Sequence, residues 1–223
     1  MKYLLLTAAS LCVVSSSALQ AALVVANSNQ ADPYTVSNTD LINGLAPVFS
    51  AGNYFAFGEG GGTSPITNGL LTKTPTTAYG TVGTSQGGTA LVYDLAADSN
   101  ITSLDLYFGW VDGGRDAVPV FSIFTKSTVY ANDLGSYTLL YTNPTQIAPS
   151  ANGNVSRVNL TDGNGTVASG VRSLYFAFGE AENNFVGLGE IDVVGAAVPE
   201  PSTAVMLGLG ALGGAAMFRR RKA

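Results

Sequence analysis

The sequence predicts an all-β protein: a jelly-roll β-sandwich flanked by an address segment at each end. Three observations carry that expectation. Residues 23–195 show short β-branched and aromatic runs between Gly, Asn, Asp, Ser and Thr clusters, with almost no 3.6-residue periodicity. The chain has 223 residues, 46% hydrophobic and 11% charged, which suits one domain with a buried core. The two long apolar stretches fall at the termini, where targeting segments belong.

The N-terminal stretch reads as a signal peptide over residues 1–18. Lys2 gives the positive start, Tyr3 to Val14 is mostly apolar, and Ser15-Ser16-Ser17-Ala18 offers small residues for cleavage. Cutting after Ala18 leaves Ser16 at the −3 position, whereas cutting after Ala21 leaves Leu19 there. Cys12 lies inside the apolar stretch behind Leu11, where a lipobox needs a small residue, so it is filler lost with the signal.

The domain then spans 19–197. Its expected strands are Leu23–Ala26, Tyr54–Phe57, Ala90–Leu95, Ile101–Trp110, Val118–Thr125, Tyr137–Tyr141, Val155–Leu160, Val171–Phe178 and Phe185–Val194. In Ile101–Trp110 the set Leu104, Leu106, Phe108 and Trp110 forms the buried face. Gly187 and Gly189 in the last strand point to a bulge or a close backbone approach. YFAFGE occurs at 54–59 and again at 175–180, but the flanks differ. Two core strands reaching the same alternation account for it better than Glu59 and Glu180 acting as paired ligand or catalytic groups.

Composition excludes several chemistries. The chain has no histidine, which removes Ser-His-Asp triads, Cys-His pairs and His-ligated zinc. Cys12 is its only cysteine, so no intrachain disulfide can form and no cofactor is expected. Residues 22–198 hold five basic against fourteen acidic residues, a net −9 that repels phosphate backbones, so nucleic acid is not an expected partner.

Residues 198–223 run Val198-Pro199-Glu200-Pro201-Ser202, an apolar TAVMLGLGALGGAAMF, then Arg219-Arg220-Arg221-Lys222-Ala223. The apolar run is at the short edge of a bilayer-spanning helix, and its basic end should stay cytoplasmic. This tail resembles the PEP-CTERM sorting signal of Gram-negative bacteria, with Pro199, Glu200 and Pro201 as the motif and Arg219, Arg220 and Arg221 as the basic stop. The resemblance implies an exosortase-type processing enzyme as partner and transient residence in the inner membrane. It then implies removal of the tail and delivery to the cell surface or the extracellular space.

Further residues carry a second resemblance. Asp94 in VYDL, the run ITSLDLYFGW, the turn VDGGRD, the run VPVFSIFT and the closing GLGEIDVVG follow in order over roughly residues 40–195. This pattern resembles the galactose-binding-like, discoidin-type β-sandwich. The resemblance implies an eight-stranded jelly roll with loops at one end, relatives that mostly bind sugars, and in many of them a structural calcium near the start. The early turn Ile66-Thr67-Asn68-Gly69-Leu70 has no Asp, which argues against calcium at that loop.

The candidate ligand-binding residues are Trp110, Asp112, Arg115 and Asp116. Trp110 would stack on a sugar ring, and Asp112 and Arg115 would bind its hydroxyls through charge-assisted hydrogen bonds. A structural role weighs more: Trp110 closing the core, and Arg115 paired with Asp112 or Asp116 to fix the turn. Asp162-Gly163-Asn164-Gly165 starts like a calcium loop but lacks the closing Glu, since residue 173 is Ser, and reads as a hairpin or simple turn. Glu180 and Glu182, beside Asn183 and Asn184, read as a solvated loop rather than a glycosidase pair. Glu190, if buried, needs a partner, and Arg115 or Arg172 would serve.

The function expected from these features is an exported, non-catalytic surface or matrix protein that binds carbohydrate or exopolysaccharide. The alternatives are a secreted polysaccharide hydrolase using acidic residues and a purely structural or adhesive module. With Cys12 gone, the exported body has no cysteine, so its thermal midpoint should be the same with and without a reductant; any shift would show that Cys12 is retained.

Overall fold

In the computed structural model the described residues are 23–56, 62–71, 80–83, 89–109, 116–179 and 186–199. They form ten antiparallel strands and two single turns of 3₁₀ helix, at Ser64–Thr67 and Leu134–Ser136. The strands are β1 (Leu23–Gln30), β2 (Phe49–Ala51), β3 (Asn53–Ala56), β4 (Gly80–Gly83) and β5 (Thr89–Gly109). After these come β6 (Phe121–Lys126), β7 (Thr138–Asn143), β8 (Val155–Asp162), β9 (Ala168–Phe178) and β10 (Val186–Ala197).

All ten join one curled sheet. The expected strands Ala90–Leu95 and Ile101–Trp110 are one strand, β5, of 21 residues. Its first half pairs with β2 and β9, and its second half with β10 and β8. The ladder to β9 shifts register between Asp94 and Ile101, across the polar Asp98-Ser99-Asn100 that lies between the two expected strands. A bulge there bends the strand without ending it. The two halves of the sheet therefore face each other, as the ring of Phe108 shows by lying 5.6 Å from Phe121 and 6.3 Å from Phe178. Leu91, Leu104, Leu106, Phe176, Leu188, Ile191 and Val193 fill the space between, all fully buried.

Other differences have local causes. The strand expected at Val118–Thr125 starts at Phe121, because Pro119 has no N–H to give a ladder. Val118 instead makes an isolated bridge to Ile147. β2 and β4 were not expected; they are short, and β4 is half glycine. The Asp162–Gly165 segment is a turn, with Asn164 N–H donating to Asp162 Oδ1 at 2.7 Å and Gly165 at φ +82°. It links β8 to β9 across the two halves of the sheet, so it is not a hairpin. The repeated YFAFGE does not mark equivalent strands: Tyr54 packs against the core, whereas Tyr175 stacks on Phe124 at 4.9 Å outside it. Glu59 and Glu180 lie outside the described residues.

The second half of β5 is buried on both faces. Opposite Leu104, Leu106 and Phe108 lie Asp105 and Tyr107, which are also buried. Tyr34 and Val36, from the long connection after β1, pack on Tyr107 and remove that face from water. Simple alternation marked only one buried face because the cover is supplied by a distant, irregular segment.

Gly109 ends β5 at φ +111°, and a Cβ there would stand 2.5 Å from the Asn154 carbonyl oxygen. Gly109→Ala should therefore cost about 1–3 kcal/mol, the range for a strained backbone position. A denaturation midpoint equal to that of the parent would refute this.

Candidate functional site

The first candidate grows from a bulge. β10 shifts register against β5 between Leu188 and Glu190, at the Gly189 marked in the sequence. Leu188, Ile191 and Val193 thereby face the core, while Glu190 and Asp192 pair with Tyr107 and Asp105 on the opposite face. Beyond the short β4 pairing, the free edge of β10 is taken by the turn Asp40–Leu45. Leu41 N–H donates to Val193 O at 2.8 Å, and Val193 N–H donates to Asp40 Oδ1 at 3.2 Å. Asp40 Oδ1 also accepts from Ile42 N–H at 3.0 Å. A second turn is sewn to the first: Gly44 N–H donates to Thr67 O at 2.5 Å, and Thr67 Oγ1 donates to Leu45 O at 2.9 Å. Gly69 N–H donates to Glu190 Oε1 at 3.0 Å.

The expected arginine partner of Glu190 is therefore replaced by a backbone amide. Arg172 makes no bond to it, and Arg115 lies outside the described residues. Asp40 Oδ2, Asn43 Oδ1 and Glu190 Oε2 are buried with no hydrogen-bond partner, as is Asp192 Oδ1. Asn43 Oδ1 lies 2.9 Å from where a Cβ on Gly69 would stand, so Asn43 and Glu190 meet at the same turn. Burial is the main cause that pushes Glu190 up to about 9, with Asp192 and Asp40 adding to it and the Gly69 hydrogen bond opposing. Burial likewise pushes Asp192 up to about 6, against the 2.8 Å hydrogen bond from Ser37 N–H.

Orphaned buried oxygens on two carboxylates and one amide fit the hard, oxygen-seeking calcium ion. Among the described residues no three His, Cys, Asp or Glu side chains form a metal cluster, so a cation here would draw on amide and carbonyl oxygens as well. Asp40, Asn43 and Glu190 are the residues that would hold it. Its role would be to tie the two turns to β10. The missing Asp in the 66–70 turn does not decide the matter, because the acids come from Asp40 and Glu190.

The second candidate is the loop after β5. Trp110, Asp112 and Arg115 lie outside the described residues. Asp116 is buried and accepts from Gly153 N–H through Oδ2 at 2.6 Å, leaving Oδ1 without a partner. Asp116 thus ties the segment before the Val118 bridge to the 150–154 turn. Asn29 holds the other side of that turn: its Oδ1 accepts from Asn154 Nδ2 at 2.9 Å and from Ser150 N–H at 3.0 Å, while its Nδ2 donates to Ser156 Oγ at 2.8 Å. Next to it is an open cleft lined by Asn27, Ser28, Val118, Ile147, Ser150 and Ser156. Hydroxyl and amide groups beside apolar side chains are the lining that a sugar's hydroxyls and CH faces require. Sequence reading missed this cleft, because its walls come from β1, the Val118–Ile147 bridge and the start of β8.

The third candidate is the tail. β10 ends at Ala197, paired with Ser99, and Val198 N–H donates to Asp98 O at 2.7 Å. Pro199 is exposed, and Glu200, Pro201, Arg219, Arg220 and Arg221 lie outside the described residues. Residues 197–222 match the PEP-CTERM protein-sorting motif. This chain carries that motif. It covers the tail and leaves the body unassigned. Among the described residues no helix is long and apolar enough to cross a membrane, and the expected short span lies outside them.

Among curated proteins no match is found. Among solved structures the chain is similar to the family 32 carbohydrate-binding module of Streptococcus pneumoniae EndoD, at 13% identity over 70% of this chain and 98% of that one, with a TM-score of 0.44. It is similar to a structure of the Streptococcus pneumoniae β-galactosidase BgaA, at 12% identity over 75% of this chain and 98% of that one, with a TM-score of 0.43. It is also similar to an allantoicase, at 12% identity over 70% of this chain and 43% of that one, with a TM-score of 0.39. These are likenesses of outline.

The buried acids set a pH dependence. A proton held up to about pH 9 on folded Glu190, against 4.5 for an ordinary Glu, stabilises the fold below 4.5, and that contribution is lost as pH rises toward 9. In chelator, Glu190→Gln should remove this decline between pH 6 and 9, leaving the part below about 6 that belongs to Asp192. Calcium at a hundredfold over its dissociation constant should stabilise the parent by about 2.7 kcal/mol and leave Glu190→Gln nearly unmoved. Equal calcium responses in the two proteins would exclude Glu190 as a ligand.

Proposed function

We propose that this is an exported, non-catalytic surface or extracellular protein, sorted by an exosortase-type enzyme, whose body binds carbohydrate at its loop-bearing end. The observation that carries the reading is the sorting motif at residues 197–222, directly behind the last strand. In this reading residues 1–18 leave as a signal peptide. The tail then holds the body at the inner membrane until it is cut. The cleft beside Asn29 and Ser150, close to the return of the Trp110–Asp116 loop, is the part of the described surface best suited to a sugar.

The charge of the body selects among glycans. With fourteen acidic and five basic residues over 22–198, it repels polyanions, so a neutral polysaccharide fits better than an acidic one. No acid pair among the described residues stands free over a cleft: Asp105 is engaged by Arg157 at 2.7 Å, and Glu190 is sealed behind the Gly69 turn. The acids of the hydrolase alternative, Glu59, Glu180 and Glu182, lie outside the described residues.

Two measurements test the proposal. Intact mass of the surface-fraction protein should show a chain ending between Val198 and Ser202; residues 203–223 on mature protein would mean a permanent anchor. On a glycan array the purified body should retain neutral glycans without releasing reducing ends. Turnover would favour the hydrolase, and silence on both counts would favour a purely structural module.

A further inference from the structure

We infer that the end of β10, Gly195–Val198, is a detachable strand that must peel from β5 before the sorting tail can be cut, so that folding of the body gates its own processing. This rests on the proposed cleavage of the tail and adds a constraint on how the cut is reached.

The matched sorting motif begins at Ala197, which is still in the sheet. No spacer separates fold from signal. Gly195, Ala196 and Ala197 pair with Ile101, Asn100 and Ser99, and Val198 N–H is bound to Asp98 O at 2.7 Å. A peptidase holds its substrate as an extended strand, using backbone donors and acceptors on both sides of the bond it cuts. For a cut after Pro199 the four upstream residues are Ala196, Ala197, Val198 and Pro199, and for a cut after Pro201 they still include Val198. A backbone group engaged by β5 is not free for the peptidase, and the body itself fills the space next to it. Cleavage breaks one C–N bond; with water as acceptor the new carboxylate stays on the body and the new amine leaves with the tail. That step needs the segment out of the sheet.

β10 is built to release this end and no more. Leu188, Ile191 and Val193 are fully buried and anchor its first part. The ladder then shifts register between Val194 and Gly195. Beyond the shift come a glycine and two exposed alanines, with no buried side chain to hold them. Gly195 is required, since a Cβ there would stand 2.3 Å from Asn100 O. Pro199 follows at once and cannot extend the ladder. Strand ends with few apolar contacts open locally without global unfolding, and here the bulge sets where opening stops.

Asn100 and Ala196 are exposed cross-strand partners, at a separation that a disulfide spans. The full-length chain carrying Asn100→Cys and Ala196→Cys should be stapled on export, in a body with no other cysteine. In a cell containing the processing peptidase, the stapled chain should be processed at least tenfold more slowly than the parent, and a reductant should restore the rate. Asn100→Cys alone should behave as the parent. A flexible spacer of about ten Gly/Ser residues between Val198 and Pro199 should restore processing of the stapled chain without reductant. Parental rates in the stapled chain would overturn the inference, as would a stapled, spacer-bearing chain that stays uncut. An uncut parent would instead overturn the cleavage reading, and the inference with it.

Discussion

β5 is the single element that belongs to both halves of the sheet, and the rest of the architecture depends on its remaining continuous through a bend. Its first half gives the ladders to β2 and β9, its second half those to β10 and β8. The register shift between Asp94 and Ile101 turns the strand so that Leu91 and Leu106 look into the same core from different halves. Without that bulge the chain would make a flat sheet with an exposed apolar face. With it, large aromatics such as Phe108, Phe121 and Phe178 meet ring against ring, burying area and fixing geometry at once.

A second consequence is that β5 and β10 are covered on both sides near Tyr107. The connection after β1 lies over their outer face, and its price is a set of buried acids. Some are well served: Asp105 accepts from Arg157 Nε and from Asn159 Nδ2, both at 2.7 Å. Others keep unpaired oxygens, namely Asp40, Asp192 and Glu190. Native interiors rarely leave such atoms unserved, and burial pushes Glu190 and Asp192 toward their neutral, protonated forms. The turn that bears Asp40 and the turn whose Gly69 amide meets Glu190 also close the open edge of β10.

The strand registers also assign the two ends of the sandwich. Leu23 pairs with Asp162 and Ala197 with Ser99, so the chain enters and leaves the body at one end. Gly109, Val155, Phe121 and Phe178 lie at the other, where the Asp116 turn and the Asn29 cleft are found. A body tethered by its tail would carry the Asn29 cleft on the face turned away from the membrane.

Much of this was legible along the chain, for a physical reason. Strand alternation, turn residues, terminal addresses and the absence of histidine are local or compositional properties, so Leu104, Leu106 and Phe108 could be placed in the core and histidine-dependent chemistry set aside before any fold was known. The bulge at Gly189 announced itself because glycine in a strand is a local anomaly. What the sequence could not decide were the contacts between distant segments. Nothing near Glu190 says that its partner is the amide of Gly69, 121 residues away. Nothing in Ile101–Trp110 says that Tyr34 will cover its second face. The two expected strands on either side of Asp98–Asn100 are one, because the ladders that hold that polar run extended are invisible to a local reading. Local sequence fixes what each segment can be; only closure of the sheet decided which oxygens would be buried together.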